Sequence, residues 1–299
     1  MKMNKKVISP IVAIHCMVYN HEPYLRQCLD GFVMQQTDFP FVAIVHDDAS
    51  TDHSAEIIRE YAAKYPNIIH PIYETENQYS KPNAIFRIMF EASKEAKYIA
   101  FCEGDDYWTD EKKLQRQVDF LESHLSYAAI AENGLIHNEV NNTEYPFNTK
   151  SSHDLTTKEV IITRRFPTAG VLCRREALSD YTTTCRLGVD TIMWCWLLTK
   201  GLFRFEAVIS SVYRRGEQGM TVYTEPYVFA KKIERWNKEI LRVFDVQKDF
   251  MFLHIAKIYK SFIMPSIKRH YYSSAVKCCV KGGVYVLKSI WEKVIHSKS

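Results

Sequence analysis

Three carboxylates and a glycine, Glu103-Gly104-Asp105-Asp106, follow directly on the apolar run Tyr98-Ile99-Ala100-Phe101-Cys102. Carboxylates are hard oxygen ligands, and a glycine among them lets backbone and ligand come close, which is what holding Mg²⁺ or Mn²⁺ against a diphosphate requires. A cation held there would neutralise the charge on a departing diphosphate. Taken alone, such a turn is explained equally well as an acidic cap on the helix expected from Thr109. Two further strings shift that balance. Tyr19-Asn20 and Val45-His46-Asp47-Asp48-Ala49-Ser50-Thr51-Asp52 also end apolar, β-branched runs in polar residues.

These strings need elements to carry them. Residues 11–18 form an apolar run broken by Tyr19-Asn20-His21-Glu22-Pro23, with proline at a plausible first helical position. Leu25, Cys28, Leu29, Phe32 and Val33 then recur at helical spacing, and residues 41–45 give the next strand. The acidic loop supplies a helix cap ahead of Ile57, Ile58, Tyr61, Ala62 and Tyr65. A strand over 68–73, a helix over 86–94 and a strand over 98–102 continue the alternation. That pattern predicts an α/β chain with a mostly parallel, Rossmann-like sheet covered by helices on both faces. In such sheets ligands sit beyond the carboxyl ends of the strands, where all three polar strings fall.

Beyond a helix carrying Leu114, Val118 and Leu121 the order loosens, with extended segments near 127–131, 168–173 and 205–213. Residues 192–198 read as a buried helix opening at Asp190, and from Pro226 the chain reads as helical. The expected division is a catalytic domain over 1–225, its donor-binding half at about 8–125 and its acceptor half at about 126–225, then a helical, basic region over 226–299.

As a set, the three strings resemble the family 2 glycosyltransferases of GT-A fold. In these a YN pair, a DDxSTD string after the second strand and a DxD-like motif after a YIAF strand build a nucleotide-sugar site. The longer string Cys102-Glu103-Gly104-Asp105-Asp106-Tyr107-Trp108 looks like a subgroup of bacterial polysaccharide transferases. The resemblance implies that Tyr19 and Asp48 contact a uracil-like base, Glu103 the ribose region and Asp105 the metal, Mn²⁺ or Mg²⁺, while Asp106 and Trp108 shape the donor pocket. It places donor contacts at Asn77 and Asn83. It makes Asp190, in Gly188-Val189-Asp190, the base that takes the acceptor proton. Val212-Tyr213-Arg214-Arg215-Gly216-Glu217 is similar to a loop that often carries histidine after YR. Here Arg214 and Arg215 offer guanidinium groups suited to a diphosphate. The implied reaction is metal-dependent and inverting, from a UDP-sugar to a saccharide or lipid-linked acceptor in cell-surface polysaccharide synthesis.

Other classes fit less well. Neither GxGxxG nor GxxxxGK[ST] occurs, which disfavours dinucleotide oxidoreductases and P-loop enzymes. A nucleotidyltransferase of related fold wants a glycine-rich loop where this chain has Tyr19-Asn20-His21-Glu22. A catalytically inactive nucleotide-sugar-binding module stands as the non-enzyme alternative. Eight cysteines without a CxxC pair read as free thiols of a reducing cytosol. The longest apolar run, 192–198, is far shorter than the roughly 20 residues that span a bilayer. Residues 267–299 hold seven Lys or Arg against one Glu, so the net charge of +4 resides in the tail. Tyr271, Tyr272, Val276, Val280, Val284, Leu287, Ile290 and Trp291 interleave with these cations in a pattern fit for peripheral contact with the inner face of a membrane. No nucleic-acid partner is expected.

Overall fold

Strand β1 (Val12–Val18) divides its side chains between two packed faces. Val12, Ile14, Cys16 and Val18 point into one cluster with Leu25, Cys28, Leu29 and Phe32 of helix α1 (Glu22–Val33) and with Ile57 and Ile58 of α2 (Ser54–Lys64). Ala13 points the other way, into a smaller cluster with Met89 of α3 (Ala84–Ala92). The period of two in the strand, set against helical stripes above and below, makes the layered arrangement.

The computed structural model describes residues 9–162, 166–216 and 225–296. With β2 (Phe41–Asp47), β3 (Ile69–Tyr73) and β4 (Tyr98–Phe101), strand β1 forms a parallel set in the order β3-β2-β1-β4. After β5 (Tyr107–Trp108) and α4 (Lys113–Ser123) come β6 (Tyr127–Asn138), β7 (Thr143–Pro146), β8 (His153–Asp154), α5 (Thr157–Ile162) and β9 (Val171–Arg174). Two helices, α6 (Tyr181–Thr184) and α7 (Asp190–Lys200), lead into β10 (Leu202–Arg215). The sheet continues past β4 as β9-β6-β10-β5, with β7 on β6 and β8 on β10. Here β9 runs antiparallel to both β4 and β6, whereas β10 is parallel to β6 with bulges between Glu206 and Ser211.

Gly170 is required where β9 meets β6, because a Cβ there would lie 2.1 Å from the Glu132 carbonyl oxygen. Seven of the eight cysteines are buried and none forms a disulfide, as expected of small core hydrophobes.

The chain divides into two compact units, one of residues 1–183 and 196–215 and one of 184–195 and 216–299. Residues 184–195, read from sequence as part of the acceptor half, thus group with the C-terminal helices. Those helices are α8 (Pro226–Val243), α9 (Lys248–Ser261), α10 (Ile263–Lys268) and α11 (Tyr272–His296).

The C-terminal unit is organised around a buried carboxylate. Glu234 of α8 accepts hydrogen bonds from the hydroxyl of Tyr259 on α9 and, at 2.6 Å, from that of Tyr285 on α11. The Lys238 ammonium lies 2.5 Å away, one turn along α8. Burial pushes the Glu234 carboxyl up, but the bonds from Lys238, Tyr259 and Tyr285 outweigh it and hold the group at about 2.

A carboxyl held below its ordinary value of 4.5 stabilises the fold above that pH and loses its contribution as pH falls toward about 2. At pH 7, Glu234→Gln should therefore lower the stability of this unit by roughly 2–3 kcal/mol. In urea melts followed by circular dichroism, wild type and variant should converge as pH falls from 7 to 3. A gap that stays constant over that range contradicts the assignment.

Candidate active site

The parallel register aligns the carboxyl ends of the strands, with Val18 opposite Asp47 and Asp47 opposite Tyr73. Helices α1 and α2 therefore begin side by side, each with N–H groups that have no partner inside the helix. The two preceding loops satisfy one another. The Asp52 carboxylate accepts the N–H of Glu22 at 3.0 Å and of Ser54 at 2.9 Å, while the Glu22 carboxylate accepts the N–H of His53 at 3.1 Å. Ser54 Oγ accepts the N–H of His21, and Ser50 Oγ that of Asn20, both at 3.0 Å. Asn20, in the left-handed region at φ 56°, returns a bond by accepting the Thr51 N–H at 2.8 Å. Partial burial works against the charge on Asp52, yet its bonds from Ser54 and Glu22 hold the carboxyl below its ordinary value.

Asp48 secures a third loop. Its N–H donates to Val18 at 2.9 Å, and its carboxylate accepts the N–H of Gln78 at 2.6 Å and of Tyr79 at 3.1 Å. The Asn77 amide donates to the Asp48 carbonyl at 3.3 Å. Asn83 stands just before α3 in the left-handed region at φ 57°, and Tyr19 stands at the end of β1, 47% exposed.

The acidic loop is seated by its glycine. Gly104 donates its N–H to Met17 at 2.9 Å, and a Cβ at this position would sit 2.7 Å from His21 Nδ1 and 2.9 Å from Val18 Cγ2. The Asp106 N–H closes the turn on the Glu103 carbonyl at 3.0 Å, and buried Asp106 accepts the Arg214 N–H at 2.9 Å. The Arg214 guanidinium donates to the Asp105 carbonyl and to Gln27 Oε1, and it lies over the rings of Tyr107 at 4.5 Å and Tyr24 at 5.0 Å. Arg214, expected as a diphosphate cation, thus ties β10 to the acidic loop. Arg215 is exposed, and its carbonyl accepts the Glu139 N–H at 3.2 Å. The rest of the YR loop, residues 217–224, lies outside the described residues.

Trp108 departs from the sequence expectation. It is 2% exposed, its indole N–H donates to the Ala169 carbonyl at 2.8 Å, and its ring meets Phe32 edge-on at 5.1 Å. It lies in the core and reaches no loop surface. Lys113, wholly buried, holds its ammonium 4.5 Å from the Trp108 ring centre, and burial pushes its pKa down to about 8.

Buried atoms at this edge without a hydrogen-bond partner include Oδ1 of Asp105, Oδ1 of Asp47 and Nδ1 of His21. Burial pushes the His21 imidazole below its ordinary pKa, against the opposing pull of Asp105 and Asp52. His21 was missed by sequence reasoning, although its place in the Tyr19-to-Pro23 string and the glycine at 104 were the available signals. Glu103 is half-buried, and its carbonyl accepts the Cys28 thiol at 3.5 Å. Asp190 belongs to the other unit, where it opens α7 and accepts the Thr191 N–H at 2.7 Å. Among the described residues no three His, Cys, Asp or Glu side chains gather as a complete metal site.

The three polar loops on parallel strand ends lie within the part of the chain that matches a known family. The model of glycosyl transferase family 2 matches residues 14–196. The chain belongs to this family. An uncharacterized protein of Mycobacterium tuberculosis is 33% identical over 72% of the chain, and the chain spans 62% of that relative's length. A putative teichuronic acid biosynthesis glycosyltransferase of Bacillus subtilis is 28% identical over 42% of the chain and 50% of its own length. Among solved structures, S. aureus TarS 1-349 in complex with UDP-GlcNAc superposes with a TM-score of 0.61 at 18% identity, covering 83% of this chain and 71% of that one. The mannosyltransferase of Pyrobaculum calidifontis in complex with GDP-Man and Mn²⁺ gives 0.57 at 14% identity over 94% and 88%. These structures share the GT-A fold of this family with the chain.

The seat of Gly104 is directly testable. Gly104→Ala should displace the acidic loop or His21 and lower the thermal stability by roughly 1–3 kcal/mol, as overpacking does in well-filled sites. Unchanged melting and unchanged UDP binding in the variant would show that the loop has slack.

Proposed function

We propose that this chain transfers a sugar from a nucleotide-diphosphate donor of the uridine type to a saccharide or lipid-linked acceptor in the synthesis of a cell-surface polymer. The observation that carries the reading is Asp105 Oδ1, a buried carboxylate oxygen with no partner on a loop fixed from several sides. Such an atom is costly to bury unless a ligand completes it. It fits a divalent cation, Mn²⁺ or Mg²⁺, which when bound would neutralise charge on the leaving diphosphate. The UDP-GlcNAc complex of TarS supports the choice of donor, and the teichuronic acid relative supports the class of product.

In this reading Tyr19 and Asp48 serve the base, with Asn77 and Asn83 on the adjoining loop, and Glu103 serves the ribose. Asp106 and Arg214 keep the acidic loop in place, and Arg215 is left for the diphosphate. Asp190 takes the proton of the acceptor hydroxyl as its oxygen bonds to the anomeric carbon and the bond to the diphosphate breaks, which inverts that carbon. Peripheral membrane contact through the C-terminal region belongs to the same proposal. No helix among the described residues is long and apolar enough to cross a membrane.

The two carboxylates should fail differently. Asp105→Asn should lower donor hydrolysis and transfer together with metal-dependent donor affinity. Asp190→Asn should leave donor affinity nearly intact and lower kcat by roughly 10² to 10⁴, the usual loss of a general base. Transfer at the wild-type rate by Asp190→Asn, measured with the fold confirmed by its melting curve, removes Asp190 from the mechanism.

A further inference from the structure

Helix α11 buries one side and leaves the other bare. Ala275, Cys278, Tyr285 and Ser289 are buried within the C-terminal unit, and Gly282 lies close to α9, where a Cβ would be 3.5 Å from the Ala256 carbonyl oxygen. On the opposite side Val276, Val280, Val284, Leu287, Ile290 and Trp291 are each between 42 and 68% exposed. Residues 276, 280, 287 and 291 recur at intervals of four, seven and four, which puts them on one face of the helix. Gly283, on the same side, has nothing within 4 Å of where a Cβ would stand.

The charges on this helix are mostly of one sign. Lys277, Lys281, Lys288 and Lys293 belong to α11, and Glu292 is its one acid. The Lys277 and Lys288 ammonium groups lean over the rings of Tyr227 at 5.5 Å and Tyr285 at 5.1 Å, at the border between the buried and bare sides. From there their long side chains can reach along an apolar surface to a polar boundary.

A continuous apolar stripe on a soluble unit marks a docking surface. Two occupants suit an apolar helix face, a second copy of the helix or a lipid interface. Pairing two copies would set lysine-bearing borders against each other with only Glu292 to offset them. A lipid interface with negative headgroups complements the same borders, and a helix about 37 Å long at 1.5 Å per residue can lie along it without crossing.

We infer that α11 lies in the plane of an anionic membrane surface, with Val276, Val280, Leu287 and Trp291 in the acyl boundary and the lysines at the lipid phosphates. The inference rests on the proposed membrane contact of the C-terminal region and assigns that contact to one face. Leu287 and Trp291, 68% and 66% exposed, lie away from the buried side of the helix, so substituting them tests binding more than the fold.

The experiment is co-sedimentation of the full chain with phosphatidylcholine vesicles, with and without one-third phosphatidylglycerol. The protein should pellet with the anionic vesicles and much less with the neutral ones. Leu287→Gln together with Trp291→Gln should lower the bound fraction about tenfold, and Lys277→Gln with Lys288→Gln should lower only the part that depends on anionic lipid. Failure to pellet with anionic vesicles, or undiminished pelleting of the Leu287/Trp291 variant, overturns the inference. So does a lipid-free dimer, seen by light scattering, that the same pair of substitutions dissolves. UDP binding measured without lipid reports separately on the donor reading, so the two can fail independently.

Discussion

Two helices that start side by side at a parallel sheet edge expose more backbone N–H groups than either can satisfy alone. The exchange between Glu22 and Asp52 meets that demand, each carboxylate accepting from the other's helix start. Everything at the site is built on this exchange. It fixes the turn at Asn20 and carries His21 against Gly104, which sets the depth of the acidic loop. Arg214 closes the loop from the other side by binding the Asp105 carbonyl and presenting its N–H to Asp106. On this loop the Asp105 carboxylate is then left with a buried oxygen that has no hydrogen-bond partner, as Asp47 is at the end of β2. Two helix N-termini beside it also favour negative charge at this edge, the general property of such termini toward phosphates.

Much of the donor half was legible in the sequence. Alternating apolar runs and helical stripes identified β1 to β4 and α1 to α4, because local periodicity and the packed faces agree there. The polar strings at the strand ends located the site for the same reason. Strands β5, β7 and β8 were not legible, being two to four residues long and existing only through their partners on β6 and β10. Strands β6 and β10 run well past the short apolar segments that announced them, since parallel pairing along most of their length holds polar residues such as Arg214 and Asn138 in the sheet.

Side-chain roles were less legible than positions. Tryptophan and arginine suit a donor pocket by chemistry, yet Trp108 is held in the core by Ala169 and Phe32, and the Arg214 guanidinium is held by Gln27, Tyr24 and Tyr107. Which group faces a ligand depends on what the rest of the fold has already engaged. Sequence carries that information only through distant residues. The tail shows the opposite case. Its apolar residues were readable as a face, and the structure gives that face a definite back, anchored by Tyr285 on Glu234. The grouping of residues 184–195 with the C-terminal helices could not be read from local pattern, because it depends on bonds such as the Arg186 N–H to Glu239 at 2.7 Å, made 53 residues apart.

We propose that the buried oxygen of Asp105 takes part in binding a metal-bridged nucleoside diphosphate. Isothermal titration of UDP into the full chain tests it most directly, in buffer containing Mn²⁺ and again in EDTA. Binding should be saturable with Mn²⁺, lost in EDTA and strongly weakened by Asp105→Asn. Equal affinity for UDP in Mn²⁺ and in EDTA, or an Asp105→Asn variant that binds as wild type does, would contradict it.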